Sequence, residues 1–126
     1  MGAPSDRRYA ETHEWHMPDG DLIVIGITQF AVDQLTDVTF AEMKAEGTTI
    51  DAGDDIGEVE SVKTSSDIYS GVAGEIVEVN EKLADDPSLL NSDPYGEGWL
   101  VKVRPEDAGA IESLMDAATY DNKTGG

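Results

Sequence analysis

Lys63 is the only basic residue between Lys44 and Lys82, in a stretch that also carries Glu46, Asp51, Asp54, Asp55, Glu58, Glu60, Asp67, Glu75, Glu78 and Glu81. Two roles suit such a lysine. It can be a solubilising residue at a hairpin tip, held loosely by Glu60 or Asp67 in an exposed pairing worth roughly 0 to 1 kcal/mol. It can also be a tether, because a lysine amine, once deprotonated, is a nucleophile that forms an amide with a carboxylic acid. Lys63-Thr64-Ser65-Ser66 is small and polar, as tight turns are, and extended segments 58–62 and 67–69 flank it. The spacing therefore predicts a lysine held clear of the surface.

Other chemistries find less support. The chain has no cysteine, which removes disulfides, thiolate metal sites and cysteine nucleophiles, so any thiol chemistry must come from an attached group. His13 and His16 are the only histidines. Three positions apart on a strand they face opposite ways, which argues against a shared metal site and makes both ordinary surface or packing residues. Neither a Gly-x-Ser-x-Gly elbow, a phosphate-binding glycine loop nor a dinucleotide fingerprint occurs. Glu106 and Asp107 are explained by the dipole of a final helix. The expectation is a protein without catalytic residues or a metal, and not an enzyme.

Twenty-seven acidic residues against eight basic ones give a net charge of −19. That field repels nucleic acid and anionic membrane surfaces alike and favours partners with basic surfaces. Solubility, at high salt for instance, is the competing explanation. No apolar run approaches the roughly 20 residues needed to span a bilayer, and residues 1–8 lack the hydrophobic stretch of a secretory signal. A soluble, cytoplasmic monomer is expected.

The elements that must position Lys63 read as a β protein. With 126 residues, 39% of them apolar, one domain over 1–126 with a small core is expected, 1–7 and 121–126 being tails. Apolar runs on either side of Pro18-Asp19-Gly20-Asp21 predict a hairpin. Thr28 can cap a short helix whose face is Ile27, Phe30, Ala31 and Leu35, and residues 38–43 return to an extended composition. Turn signals at Glu46-Gly47, Ala52-Gly53-Asp54 and Val72-Ala73-Gly74 separate short Val- and Ile-rich runs. Residues 99–104 alternate as a strand, and Pro105 followed by Ile111, Leu114, Met115 and Ala118 predicts one amphipathic C-terminal helix. Ala52-Gly53-Asp54-Asp55-Ile56 echoes Ala73-Gly74-Glu75-Ile76; either this is chance, or two hairpin halves meet with residues 61–70 exposed at their junction.

Glu60-Ser61-Val62-Lys63, then Ser66-Asp67-Ile68-Tyr69-Ser70 and Gly74-Glu75-Ile76-Val77-Glu78-Val79-Asn80, resembles the lipoylation region of glycine cleavage system H proteins. His13-Glu14-Trp15 and Gly26-Ile27-Thr28 look like the family's opening hairpin, and Tyr95-Gly96-Glu97-Gly98-Trp99-Leu100 like its late signature. Glu-Ser-Val-Lys differs from the Asp-Lys-Ala of 2-oxoacid dehydrogenase lipoyl domains and the Met-Lys-Met of biotin carriers. The resemblance implies a mainly β barrel-sandwich hybrid of two antiparallel sheets, with a short internal helix and a C-terminal helix. It further implies covalent lipoate on Lys63, with Glu60, Ser61 and Asp67 as the context of modification and Glu14 and Gln34 as a shelter for the loaded arm. From the residues alone, Glu14 and Gln34 could equally be solvated.

The implied role is that of a carrier in glycine catabolism. Aminomethyl groups would pass from a pyridoxal-phosphate glycine decarboxylase (P protein) to a tetrahydrofolate-dependent aminomethyltransferase (T protein), with reoxidation by dihydrolipoamide dehydrogenase (L protein). Lipoate ligase or an octanoyl or lipoyl transferase would load Lys63. A lipoate-binding carrier of bacterial sulfur oxidation and a lipoyl-relay donor to 2-oxoacid dehydrogenases are the alternatives. Departures from the family occur at Gly71, where proline is usual, at Thr36, where glycine is common, and over Phe40-Ala41-Glu42-Met43-Lys44. The first should loosen the unfolded chain by roughly 0.4 to 1 kcal/mol; the others put loop shape and partner contacts in question.

Overall fold

The computed structural model describes residues 5–107 and 109–124. In chain order its strands are β1 (Arg8–Tyr9), β2 (Glu14–Asp19), β3 (Leu22–Ile27), β4 (Val38–Met43), β5 (Thr49–Ile50), β6 (Asp55–Ser61), β7 (Ser65–Tyr69), β8 (Gly74–Val79) and β9 (Val101–Pro105). They form two antiparallel sheets, a six-stranded one in the order β1-β2-β3-β9-β8-β5 and a three-stranded one in the order β4-β6-β7. The mainly β, two-sheet architecture is thus the one expected.

Strand β3 explains why the sheets pack as they do. Its run Ile23-Val24-Ile25-Gly26-Ile27 is buried on both faces, the mark of a strand covered above and below. Ile23, Ile25 and Ile27 join the main core with Val59, Ile68, Ile76, Val101 and Val103, while Val24 joins a second cluster with Tyr9, Trp15 and Tyr120. Gly26 is opposite Trp15 in the ladder, and a Cβ there would come within 2.4 Å of the indole ring. The missing side chain is what lets Trp15 lie flat on β3.

The short helix α1 (Gln29–Leu35) starts where expected, with Thr28 Oγ1 accepting from the Ala31 amide at 3.3 Å. Val32 and Leu35 are its buried residues, with Ile27 in the same core and Ala31 packed against it, so Val32 joins the expected face. It ends at Thr36, whose φ of +64° and ψ of −137° suit glycine and strain a β-branched residue. Asn91 braces this corner, its side-chain amide donating to the Thr36 carbonyl and its oxygen accepting from the Val38 amide.

The C-terminal segment departs from the expectation of one helix from Pro105. Pro105 ends β9; residues Ala110–Ser113 form a single 3-10 turn; Met115 exchanges two backbone hydrogen bonds with Tyr9. That bridge interrupts the helical spacing, and α4 (Ala117–Thr124) begins only afterwards with Tyr120 as its buried residue and Ala118 exposed. Glu106 and Asp107 therefore do not head a helix, and Asp107 instead accepts from the Gly109 amide. Of the expected tails, residues 1–4 and 125–126 lie outside the described residues; residues 121–124 are helical, and Arg7 stacks 4.6 Å from the Trp15 ring and donates to the Tyr95 carbonyl. The late strand begins at Val101, two residues later than the alternation suggested.

Candidate functional site

Lys63 sits at the tip of the β6–β7 hairpin, which belongs to the three-stranded sheet. Ser61 shapes the tip. Its hydroxyl accepts from the Lys63 and Thr64 amides at 3.2 and 3.1 Å, and its own amide donates to the Thr64 carbonyl at 2.8 Å. The loop is therefore Val62-Lys63-Thr64, while Ser65 and Ser66 already belong to β7. Val62 anchors the outer side, its amide donating to the Asp37 carbonyl at 3.0 Å, with the side chain 69% exposed.

Lys44, Lys82, Lys102 and Lys123 each lie within 4 Å of a carboxylate. Lys63 is exposed and, among the described residues, has no such partner. The loose pairing with Glu60 or Asp67 is not formed. Glu60 stands between Phe40 and Ser65 on neighbouring strands, and Asp67 lies opposite Glu58.

Beside the hairpin runs a cleft of about 660 Å³ between α1 and β7. Ile27, Phe30, Leu35 and Ile68 give it an apolar wall, Gln34 and Asp67 add polar groups, and Lys63 stands on its rim. Thr12 and His13 close one end. His13 adopts φ +75°, its ring packs 4.6 Å from Phe30, and its Nδ1 lies 2.8 Å from the Tyr120 hydroxyl. That hydroxyl also bonds Thr28 Oγ1 at 2.7 Å. One buried tyrosine of α4 thus ties the end wall to the cap of α1. Periodicity gave no hint of this link, since it joins residues 92 and 107 positions apart.

Glu14 and Gln34 are placed differently. Gln34 is exposed and lines the cleft. Glu14 is 1% exposed and lies behind Thr12, accepting from the Thr12 hydroxyl and, at 3.1 Å, from the Tyr69 amide. It is no solvated strand residue: burial pushes its carboxyl up to about 7, against the opposing pull of those hydrogen bonds. His16 is fully buried, and burial lowers its imidazole to about 4. Among the described residues no group of three His, Cys, Asp or Glu side chains could hold a metal ion.

The glycine cleavage H-protein family model matches residues 7–125. The chain belongs to the glycine cleavage H-protein family. A glycine cleavage system H protein of Thermus thermophilus is 50% identical over 120 residues, covering 95% of this chain and 94% of that one. That of Pseudoalteromonas atlantica is 52% identical over 120 residues, covering 94% and 93%. A crystal structure of a glycine cleavage system H protein from Mycobacterium marinum superposes with a TM-score of 0.89 at 41% identity, covering 98% of this chain and 99% of that one.

H proteins carry lipoate covalently on a lysine and act as carriers of the glycine cleavage system, not as catalysts. The residues here fit such a group. An exposed lysine without a carboxylate partner stands at the rim of a cleft whose apolar wall suits an alkyl arm and whose Gln34 and Asp67 suit a polar end. No helix among the described residues is long and apolar enough to cross a membrane.

Proposed function

We propose that Lys63 is the lipoyl-bearing residue and that the α1–β7 cleft shelters the arm between visits to the partner enzymes. The observation that carries this reading is the position of Lys63: the one lysine without an ion pair among the described residues, on a hairpin tip, at the rim of a groove with an apolar wall. When attached, lipoate supplies a dithiol–disulfide couple that carries the aminomethyl group of glycine and the electrons of its oxidation.

The chain's own residues do the positioning. Ser61 holds the loop so that the Lys63 stem leaves the surface in one direction. Glu60 and Asp67 flank it as the charged context read by lipoate ligase or an octanoyl or lipoyl transferase. Gln34 and Asp67 accept hydrogen bonds from a cationic amine lying in the cleft, and Glu14 holds Thr12 in the cleft lining from behind. Tethering raises the effective concentration of the bound group at each active site. The partners are then the pyridoxal-phosphate decarboxylase, the folate-dependent aminomethyltransferase and dihydrolipoamide dehydrogenase. The charge of −19 steers encounter with basic surfaces on them, an effect that salt screens beyond about 8 Å.

The test is reconstitution. Lipoylated chain added to the decarboxylase of its own organism should support glycine–bicarbonate exchange, and Lys63→Ala chain taken through the same loading should not. Equal exchange by both would end this assignment.

A further inference from the structure

Strand β2 aims two side chains of one face, Glu14 and His16, at the stretch of main chain that leaves the lysine-bearing hairpin. Glu14 Oε2 accepts from the Tyr69 amide at 3.1 Å, and His16 Nε2 accepts from the Gly71 amide at 3.0 Å. Between them, Ser70 turns the other way, its amide donating to Asp54 and its carbonyl accepting from Gly53. Residues 69–71 are thus held on one side by the start of β6 and on the other by side chains of the opposite sheet, with no backbone ladder joining β2 to β7.

The His16 contact is chemically specific. A ring nitrogen that accepts a hydrogen bond carries no proton, so the neutral imidazole must be protonated on Nδ1. That nitrogen is buried and, among the described residues, makes no well-formed hydrogen bond. The Glu14 backbone carbonyl is the acceptor that acts on the ring, and it favours a proton on this side while Nε2 stays free for Gly71. Gly71 matches the arrangement. Proline has no amide to give, and a Cβ at this position would meet Leu114 at 2.8 Å and His16 at 3.2 Å.

We propose that Glu14 and His16 form a two-point clasp on the Tyr69 and Gly71 amides that sets the lysine-bearing hairpin against α1, with His16 as a positioning residue in its Nδ1-protonated tautomer. The clasp fixes the base of β7, and β7 forms one wall of the cleft. Its consequence for the arm rests on the sheltering role proposed above. Gly71 is accordingly no mere loosening of the chain, because restoring proline removes the donor and leaves His16 Nε2 unpartnered.

Nitrogen-15 NMR of the unmodified full-length chain reads the clasp directly. His16 should show an unprotonated Nε2 and a protonated Nδ1; a protonated Nε2 overturns the proposal. Gly71→Pro should speed amide exchange along β7 by roughly 2- to 10-fold, the loss of one hydrogen bond, and by more than Gly71→Ala, which adds the same Cβ against Leu114 and His16 but keeps the amide; an equal effect of the two would overturn the proposal. His16→Phe, which removes the acceptor and keeps the Gly71 amide, gives the same reading should the proline variant fail to fold. In lipoylated chain, Gly71→Pro should raise the rate at which the reduced arm reacts with iodoacetamide by a similar factor without slowing Lys63 loading. β7 exchange and arm reactivity unchanged by Gly71→Pro and His16→Phe would reduce the clasp to a passive fastening and overturn the positioning role. An unmutated arm that reacts as fast as free dihydrolipoamide would instead remove the shelter and leave the tautomer and exchange results to decide the clasp.

Discussion

Glu14→Gln should make the chain more stable above neutrality and change little near pH 4.5. Burial lifts the Glu14 carboxyl from 4.5 to about 7. Between those values the folded chain keeps a proton that the unfolded chain has lost, so stability falls as pH rises through that window. At ~1.4 kcal/mol per pH unit the integrated loss is about 3 kcal/mol by pH 8. His16 acts in the opposite sense: lowered from 6.5 to about 4, it binds its proton only in the unfolded chain over that range, so stability rises with pH until about 6.5. The two slopes cancel between pH 4.5 and 6.5, and the parent chain conceals both. Glutamine keeps the acceptor for the Tyr69 amide and does not titrate. Urea unfolding at pH 4.5, 6 and 8 should show the variant gaining on the parent by about 3 kcal/mol across the series, the remaining acidic residues being common to both. Parallel curves at all three pH values would refute the burial of a titrating carboxylate at this position.

Thr36→Gly should stabilise the chain by about 1 kcal/mol or more, because φ +64° with ψ −137° is a conformation that only glycine adopts without strain; a thermal midpoint that fails to rise would contradict the geometry of the α1–β4 corner. Tyr120→Phe should cost about 1 to 3 kcal/mol, since it leaves Thr28 and His13 each without their shared hydroxyl partner, and urea unfolding should register it.

The sheets, the first hairpin, the α1 cap and the Lys63 turn were legible because each depends on a local signal: alternation, a glycine or proline cluster, or a capping threonine. The C-terminal segment was not. Ile111, Leu114, Met115 and Ala118 carry helical spacing, but the backbone of Met115 is engaged by Tyr9, a tertiary pairing between residues far apart in the chain that overrides propensity. The burial of Glu14 and His16 was not legible for a related reason. Period-2 alternation says that they share a face but not that the face is covered, and the cover comes from residues 69–71 of the other sheet. Lys63 stood out because charge isolation is visible in sequence, whereas the cleft beside it arises only when α1 folds against β7.

Loading the full-length chain with lipoate ligase and lipoate, followed by digestion and mass mapping, tests the assignment of the arm most directly. The lipoyl mass should appear on the peptide containing Lys63 and on no other, and Lys63→Arg should abolish it. Modification of Lys44, Lys82, Lys102 or Lys123, or continued modification of the Lys63→Arg chain, would contradict the account.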